Sequence, residues 1–206
     1  MSAVDYLPAD RTLPALRKAV QHCQGCDLYK CATQAVFGEG PKSAHIVFIG
    51  EQPGNEEDKA GKPFVGPAGR LFDRALKDAG IARSTVYITN AVKHFKFEER
   101  GRRRLHKKPG AGEAAACMPW LEAELAAIRP GILVCLGATA AQAIFGGEYR
   151  VTRERGKFVE NEWATLATST VHPSSILRAP DGERQVEYAR FVAELVEIGR
   201  VAARGV

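Results

Sequence analysis

Several residues that could move protons or bind a polar ligand lie just after short apolar runs of the chain. They are Glu51, Gln52, Asn90, Lys93, His94, Thr139, His172, Ser174 and Ser175. A carboxylate, amides and an imidazole together suit a crevice that binds a polar or nitrogenous ligand and catalyses a reaction on it. Any one of these residues alone is better explained as an ordinary polar loop residue, but their joint occurrence favours a catalytic crevice.

The apolar runs that precede these residues predict β-strands. They lie at residues 44–50, 84–90, 131–137 and 164–172. Helical patterns are found at residues 11–23, 66–81, 112–128 and 137–146 and in the C-terminal tail. Strands that alternate with helices form a parallel sheet covered on both faces. We therefore expect one α/β domain over residues 1–206, with three αβα layers and a central four-stranded parallel sheet. Ligands of such sheets bind beyond the carboxyl ends of the strands, where the polar residues would meet.

Length and composition narrow the class of protein. The 206 residues can bury one sizeable core, and 45% hydrophobic with 26% charged residues is ordinary for a globular domain. The net charge of +5 favours a polyanionic partner. No apolar run is long enough to span a membrane, and the N-terminus lacks the pattern of a signal peptide. We expect a cytoplasmic monomer that contacts no membrane.

The positive charge is concentrated in one segment. Residues 95–112 are polar and bounded by Gly and Pro, which predicts a long surface loop. Its candidate phosphate contacts are Arg102, Arg103, Arg104, Lys107 and Lys108. Such contacts would make binding to a nucleic acid strongly dependent on salt. His106 lies among these cations, and composition alone makes it one more polar loop residue.

The spacing of the cysteines indicates a metal site. Two residues separate Cys23 from Cys26, and Cys117 lies near the start of a predicted helix. The candidates for a fourth ligand are Cys31, Cys135 and His94. Spacing does not distinguish zinc from an iron–sulfur cluster, and two free thiols or a redox pair are the simpler alternative.

Five motifs, in their order and spacing, resemble those of family 4 uracil-DNA glycosylases. They are GEQPG, KPFVGPAGR, TNAVKH, LGATAA and VHPSS. The chain is more specifically similar to the UdgX subgroup in GEQPG, in the histidine of VKHFKF and in a basic loop that ends in Arg-x-His. The resemblance covers the chain from Cys23 to Arg178, and it implies the parallel αβα fold expected above.

For the metal, the resemblance implies a [4Fe–4S] cluster. Its ligands would be Cys23, Cys26 and Cys117, with His94 in place of the remaining cysteine of the family. We expect this cluster to organise the fold near DNA, because nothing in the sequence gives it a redox task. One position departs from the family pattern: Asn55 follows GEQPG where related proteins usually have Asp, so a carboxylate that could activate water is absent there.

For the substrate, the resemblance implies DNA that contains uracil. Asn90 would hydrogen-bond the edge of the base, Phe64 would stack on its face, and His172 would donate to the uracil oxygen that gains charge. From local sequence alone, Phe64 is equally well explained as a core residue. Gln52 and Ser174 complete the substrate-binding candidates. We expect a preference for single strands, because no duplex then has to be opened to expose the base.

The most specific implication concerns His106, which by the same resemblance bonds covalently to the anomeric carbon in place of water. Glu51 could orient the imidazole and accept its proton. The product has no obvious hydrolytic exit, so we expect a single turnover. The catalytic candidates are therefore His106, Glu51, Gln52 and His172. The alternatives are a conventional glycosylase that uses activated water and a non-catalytic iron–sulfur module that binds uracil-DNA. A serine nucleophile is not favoured, because the chain has no Gly-x-Ser-x-Gly elbow.

Overall fold

The predicted alternation of strands and helices is present in the computed structural model, which describes residues 2–205. The strands are β1 (Ile46–Gly50), β2 (Tyr87–Asn90), β3 (Phe97–Arg100), β4 (Arg103–His106), β5 (Ile132–Leu136), β6 (Val159–Asn161) and β7 (Ala164–Thr170). The helices are α1 (Leu13–Val20), α2 (Asn55–Ala60), α3 (Pro67–Asp78), α4 (Ala111–Ile128), α5 (Ala138–Phe145), α6 (Val151–Glu154), α7 (Pro173–Arg178) and α8 (Asp181–Ala202). In this part of the chain no helix is both long and apolar enough to cross a membrane.

The central sheet has the strand order β2-β1-β5-β7-β6. Its first four strands run parallel and correspond to the four predicted strands, so the predicted αβα fold is confirmed. The sheet also contains β6, a fifth strand that pairs antiparallel with β7. The sequence did not predict β6, because a three-residue edge strand of exposed and half-buried residues carries no apolar signal.

Alternating strand residues form two separate halves of the core, as the period of a β-strand requires. Phe48 faces the layer of α3, α7 and α8, where it packs against Phe72. Its neighbour Val47 faces the opposite layer, which contains α4 and α5. The sheet is thus buried on both faces, and only its edges and the loops beyond its strand ends reach solvent.

The basic segment differs from its predicted form. Residues 95–112 were expected to be a loop, but β3 and β4 form an antiparallel hairpin within them. Gly101 makes the turn with a φ of 59°, a conformation that glycine adopts without strain. Charged side chains occupy both faces of the two strands, which removes the apolar alternation by which a strand is recognised. The register pairs Phe97 with His106 and so places His106 at the base of the hairpin.

Candidate active site

A cavity of about 950 Å³ opens beyond the carboxyl ends of β1, β2, β5 and β7. Among the predicted residues that line it are Glu51, Phe64, Asn90, His106, His172 and Ser174. Thr139, Ser175 and Lys108 lie on the same walls. Lys93 and His94 do not line it, because both are buried beneath the end of β2. The topology therefore brings most of the polar residues to one edge of the sheet.

The floor of the cavity is a buried amide with an unused acceptor. Asn90 is only 2% exposed, and its Oδ1 has no hydrogen-bond partner among the described residues. It lies opposite Gly50 in the register of β1 and β2. A Cβ at Gly50 would come within 2.7 Å of the Phe64 ring and would also overlap the Asn90 amide. An unpaired buried acceptor is unfavourable by itself, so a ligand that donates to it would gain this interaction.

Phe64 forms one side wall of the cavity with an unusual backbone. Its φ of 56° lies in the left-handed region, which a bulky residue rarely adopts. Its ring centroid lies 5.8 Å from the ring of His172 and 5.5 Å from that of Phe72. The side chain thus belongs both to the core and to the cavity wall.

His172 is a hydrogen-bond donor in a fixed tautomer. Its Nδ1 accepts from the Ser174 backbone N–H at 3.1 Å and lies 2.8 Å from the Ser174 hydroxyl. Since an N–H can only donate, Nδ1 carries no proton and the neutral ring has its proton on Nε2. Burial lowers the pKa of His172 to about 4, against an opposing effect of Glu51. The imidazole is therefore neutral at physiological pH, with its Nε2–H free to donate.

Glu51 and His106 form a carboxylate–imidazole pair at the mouth of the cavity. The His106 Nε2 lies 3.1 Å from Glu51 Oε1, and the imidazole is half exposed. Glu51 Oε2 accepts a hydrogen bond from the Thr139 hydroxyl. Burial raises the pKa of Glu51, but the bonds from His106 and Thr139 together lower it below its ordinary value. An ionised carboxylate here orients the ring and holds the Nε2 proton, which leaves a lone pair on the other ring nitrogen.

The side chain of Gln52 makes contacts with the hairpin that its predicted catalytic and substrate-binding role did not include. Its Nε2 donates to the carbonyls of Lys96 and Lys107, each at 3.1 Å, and its Oε1 accepts from Lys96 N–H at 3.0 Å. These two lysines flank the hairpin, whose base is closed by a further bond from Lys107 N–H to Lys96 O. Gln52 also lines the cavity, but its amide nitrogen and oxygen both bond to the backbone of Lys96 and Lys107, so its side chain positions the hairpin.

Arg104 also differs from its predicted role, because its guanidinium faces the protein. It pairs with Asp58 at 2.7 Å and donates from Nε to Asn55 Oδ1 at 2.8 Å. The guanidinium lies over the Phe97 ring, 4.8 Å from its centroid. Asp58 is fully buried and also accepts two bonds from Thr33. Arg104 thus anchors the hairpin to α2 and has little capacity left for a phosphate.

The other cations of the segment remain at the surface. Arg102, Arg103 and Lys108 are exposed and make no ion pair with any residue between 2 and 205, whereas Lys107 pairs with Glu98 at 2.5 Å. Arg100 lies directly opposite Arg103 in the hairpin, a concentration of like charge that an anion would relieve. Sequence reasoning left Arg100 and Arg178, which lines the cavity, out of the candidate set. The sequence signal for Arg178 was its place at the end of the short helix that begins within HPSS.

The predicted metal ligands do not line the cavity. Cys23, Cys26 and Cys117 pack in one apolar cluster where α1 meets α4. Trp120 Nε1–H donates to Cys23 Sγ at 3.1 Å, and the Lys93 N–H donates to Cys117 Sγ at 3.2 Å.

The remaining candidate ligands are distributed differently. His94 is buried at 5% exposure, whereas Cys31 is exposed. Cys135 belongs to the core on one face of the sheet, in a cluster separate from that of the three predicted cysteine ligands. Within residues 2–205, no three His, Cys, Asp or Glu side chains are close enough to hold a single metal ion. A cluster in which each ligand binds its own iron needs ligands that are further apart, and N–H donors to sulfur suit its thiolates.

Comparison with known proteins agrees with this fold. Residues 37–196 match the family model of the uracil DNA glycosylase superfamily. The chain is 37% identical to the type-4 uracil-DNA glycosylase of Thermotoga maritima over 189 residues, which cover 91% of this chain and 93% of that protein. It is 37% identical over 183 residues to the type-4 uracil-DNA glycosylase of Archaeoglobus fulgidus, which covers 85% and 88% of the two chains. A type-5 uracil-DNA glycosylase of Pyrobaculum aerophilum is 29% identical over 154 residues, with 66% and 64% covered.

The match to the family model includes every strand of the central sheet, and the two type-4 relatives cover 91% and 85% of the chain. The chain therefore belongs to the uracil-DNA glycosylase superfamily and, within it, to the type-4 family.

Proposed function

We propose that this protein excises uracil from DNA and then bonds to the abasic sugar through His106. The observation that carries the proposal is the pair of His106 and Glu51, with Nε2 and Oε1 3.1 Å apart, at the mouth of a cavity floored by Asn90. Membership of the type-4 family supports the excision. The position of the imidazole supports the covalent capture.

Recognition of uracil follows from the unpaired amide of Asn90. Its Oδ1 can accept the N3–H of uracil, and its NH2 group can donate to the neighbouring carbonyl. Cytosine presents the reverse pattern at this edge, with an acceptor at N3 and an amino group beside it. The absence of a side chain at Gly50 leaves room for the base over Asn90, and Phe64 offers a ring for its face.

His172 stabilises the departing base. When the bond between C1′ and N1 breaks, its electron pair leaves with uracil and the sugar becomes an oxocarbenium ion. The Nε2–H of the neutral His172 donates to the uracil oxygen that gains negative charge. The depressed pKa of this imidazole, about 4, keeps it in the neutral donor form at the pH of the reaction.

His106 then replaces water as the nucleophile. The lone pair on its ring nitrogen away from Glu51 forms the new bond to C1′, and the Nε2 proton passes to Glu51 and from there to solvent or to the uracil anion. Uracil thus leaves with one proton and the sugar carbon gains one C–N bond, so the step balances without water. By the family resemblance, position 55 usually carries a carboxylate that could activate water. Here it is Asn55, whose Oδ1 instead accepts a hydrogen bond from Arg104 Nε.

DNA binding uses the exposed cations of the hairpin. We place phosphates at Arg102, Arg103 and Lys108, with Lys107 at the rim and Arg104 as their support. A single strand satisfies this surface without the cost of extracting the base from a duplex. We further propose that the protein acts on DNA in the cytoplasm as a single-domain monomer.

A [4Fe–4S] cluster held by Cys23, Cys26, Cys117 and His94 would tie α1, α4 and the end of β2 together. It would supply rigidity to the element that carries Asn90, and no step of the reaction passes through it. Visible absorbance and iron content of aerobically purified protein test this assignment. Cys117→Ser should lose iron, whereas Cys31→Ser, at the exposed cysteine, should keep it. Iron-free wild-type protein would overturn it.

The catalytic proposal is tested with a labelled, uracil-containing single strand, denatured after the reaction and separated on a gel. We expect a shifted band that survives denaturation, its loss in His106→Ala, and its retention in His22→Ala, a matched exposed histidine. Free uracil without a shifted band would instead support a turnover enzyme that uses water. Neither product would support a non-catalytic binding module. A band that persists in His106→Ala would refute the assignment of the nucleophile.

A further inference from the structure

The two oxygens of the Glu51 carboxylate contact two groups that differ in burial. Its Oε1 faces His106, on the exposed hairpin, and its Oε2 accepts from the hydroxyl of Thr139. Thr139 is buried at 8% exposure, so its side chain has little freedom to choose another partner. Glu51 Oε2 is therefore bonded to a buried hydroxyl, and only Oε1 is available to the His106 imidazole.

The backbone beneath Thr139 is rigidly placed. Gly137, between β5 and α5, has a φ of 89°, and a Cβ there would lie 2.9 Å from the Cβ of His172. Its N–H donates to Thr170 O at 2.9 Å, which ties the turn to β7. Only glycine allows this close approach, which brings the start of α5 against the cavity. The positive end of the α5 dipole also favours the negative charge of Glu51.

We propose that Thr139 is a positioning residue for the reaction of His106, because it orients the Glu51 carboxylate toward the imidazole. The inference rests on the proposed function and adds a third member to the pair. Without the hydroxyl, the carboxylate can rotate and hold the imidazole less well, so attack on C1′ slows. Water then captures more of the oxocarbenium ion, and uracil is released without a protein–DNA bond.

The test compares Thr139→Val, Thr139→Ser and Thr168→Val in the denaturing gel, with released uracil measured in parallel. Valine matches threonine in shape and lacks the hydroxyl, and serine keeps it. Thr168→Val is the matched control, because the hydroxyl of this buried threonine has no partner among the described residues. We expect Thr139→Val to slow adduct formation by between about tenfold and a hundredfold, the usual range for losing one hydrogen bond to a charged group, and to lower the ratio of adduct to uracil. Thr139→Ser and Thr168→Val should both keep the wild-type ratio.

Three outcomes would overturn the inference. They are a wild-type rate and ratio in Thr139→Val, a parallel fall of adduct and uracil with an unchanged ratio, and a Thr139→Ser variant as slow as Thr139→Val. In each case the wild-type band remains and the proposed function stands. If the wild-type protein forms no band at all, the crosslinking proposal fails and this inference fails with it.

Discussion

Replacement of Gln52 by leucine should release the hairpin that carries His106. Leucine has nearly the same size and no polar group, so the core packing is kept while three hydrogen bonds to Lys96 and Lys107 are removed. Because Gln52 is 7% exposed, water cannot readily replace its amide on the inner side. The variant therefore perturbs the attachment of the hairpin, and with it His106, while Glu51, Asn90 and His172 lie outside the hairpin and keep their positions.

The magnitude follows from the number of bonds. An intramolecular hydrogen bond contributes about 1 kcal/mol net, so the three together stabilise the docked hairpin by about 3 kcal/mol, or roughly a hundredfold in the docking equilibrium. The backbone groups of Lys96 and Lys107 can regain some bonds to water, since these residues are half-buried and exposed. We therefore expect adduct formation to slow by between tenfold and a hundredfold, with a smaller effect on uracil release.

Two measurements check this prediction. The denaturing gel gives the rate of adduct formation, and hydrogen exchange followed by mass spectrometry reports the bond from Lys107 N–H to Lys96 O that closes the hairpin. Gln21→Leu is the matched control, because Gln21 makes one bond, to Ala35 O at 2.9 Å, away from the hairpin. A Gln52→Leu variant with wild-type exchange and a wild-type adduct rate would show that Gln52 does not hold the hairpin.

Three further predictions follow from the site. Asn90→Leu should lower the rate of uracil excision by about two orders of magnitude, because the base loses its polar partner in a buried pocket. A rate of uracil release equal to that of the wild type would contradict this. The pKa of His172, about 4 against an ordinary 6.5, means that the unfolded chain binds its proton at higher pH than the folded protein does. The contribution of neutral His172 to the free energy of unfolding is thus complete above about pH 6.5 and decreases as the pH falls toward 4. At pH 5 the loss is about 1 to 2 kcal/mol. Urea unfolding at pH 7 and pH 5 should therefore show a smaller loss of stability in His172→Gln than in wild type. Replacement of both Arg102 and Arg103 by alanine should weaken the dependence of DNA affinity on salt. The slope of log affinity against log salt concentration should fall by about 0.7 for each phosphate of a single strand that the variant no longer neutralises. Arg129→Ala, at an exposed arginine away from the hairpin, should leave this slope unchanged.

Much of the fold could be predicted from local patterns. The four parallel strands are short, buried apolar runs, and their boundaries in the structure lie within the predicted ranges. Because parallel strands end at one edge, the predicted strand ends also brought Glu51, Asn90 and His172 to the same cavity. These inferences succeed because burial of a whole strand leaves a continuous apolar signal in the sequence.

The hairpin was beyond such patterns. Its strands carry charge on both faces, and what orients each side chain is the pairing of β3 with β4 together with contacts to distant elements. Arg104 appeared equivalent to Arg102 and Arg103 in the sequence, but alternation along β4 turns it toward Asp58, 46 positions away in the chain. Side chains of a strand point alternately to its two faces, but which of them point inward is known only once the pairing register of β3 and β4 is known.

The sequence by itself determined the sheet, the edge at which the cavity opens and the kinds of groups that line it. The tertiary structure alone decided which of those groups are free. It engaged Gln52 and Arg104 in holding the hairpin, left the Asn90 acceptor unpaired, and placed Thr139 behind Glu51. The physical reason is that apolar burial is a property of a segment, whereas a hydrogen bond depends on the position of a partner that is remote in sequence.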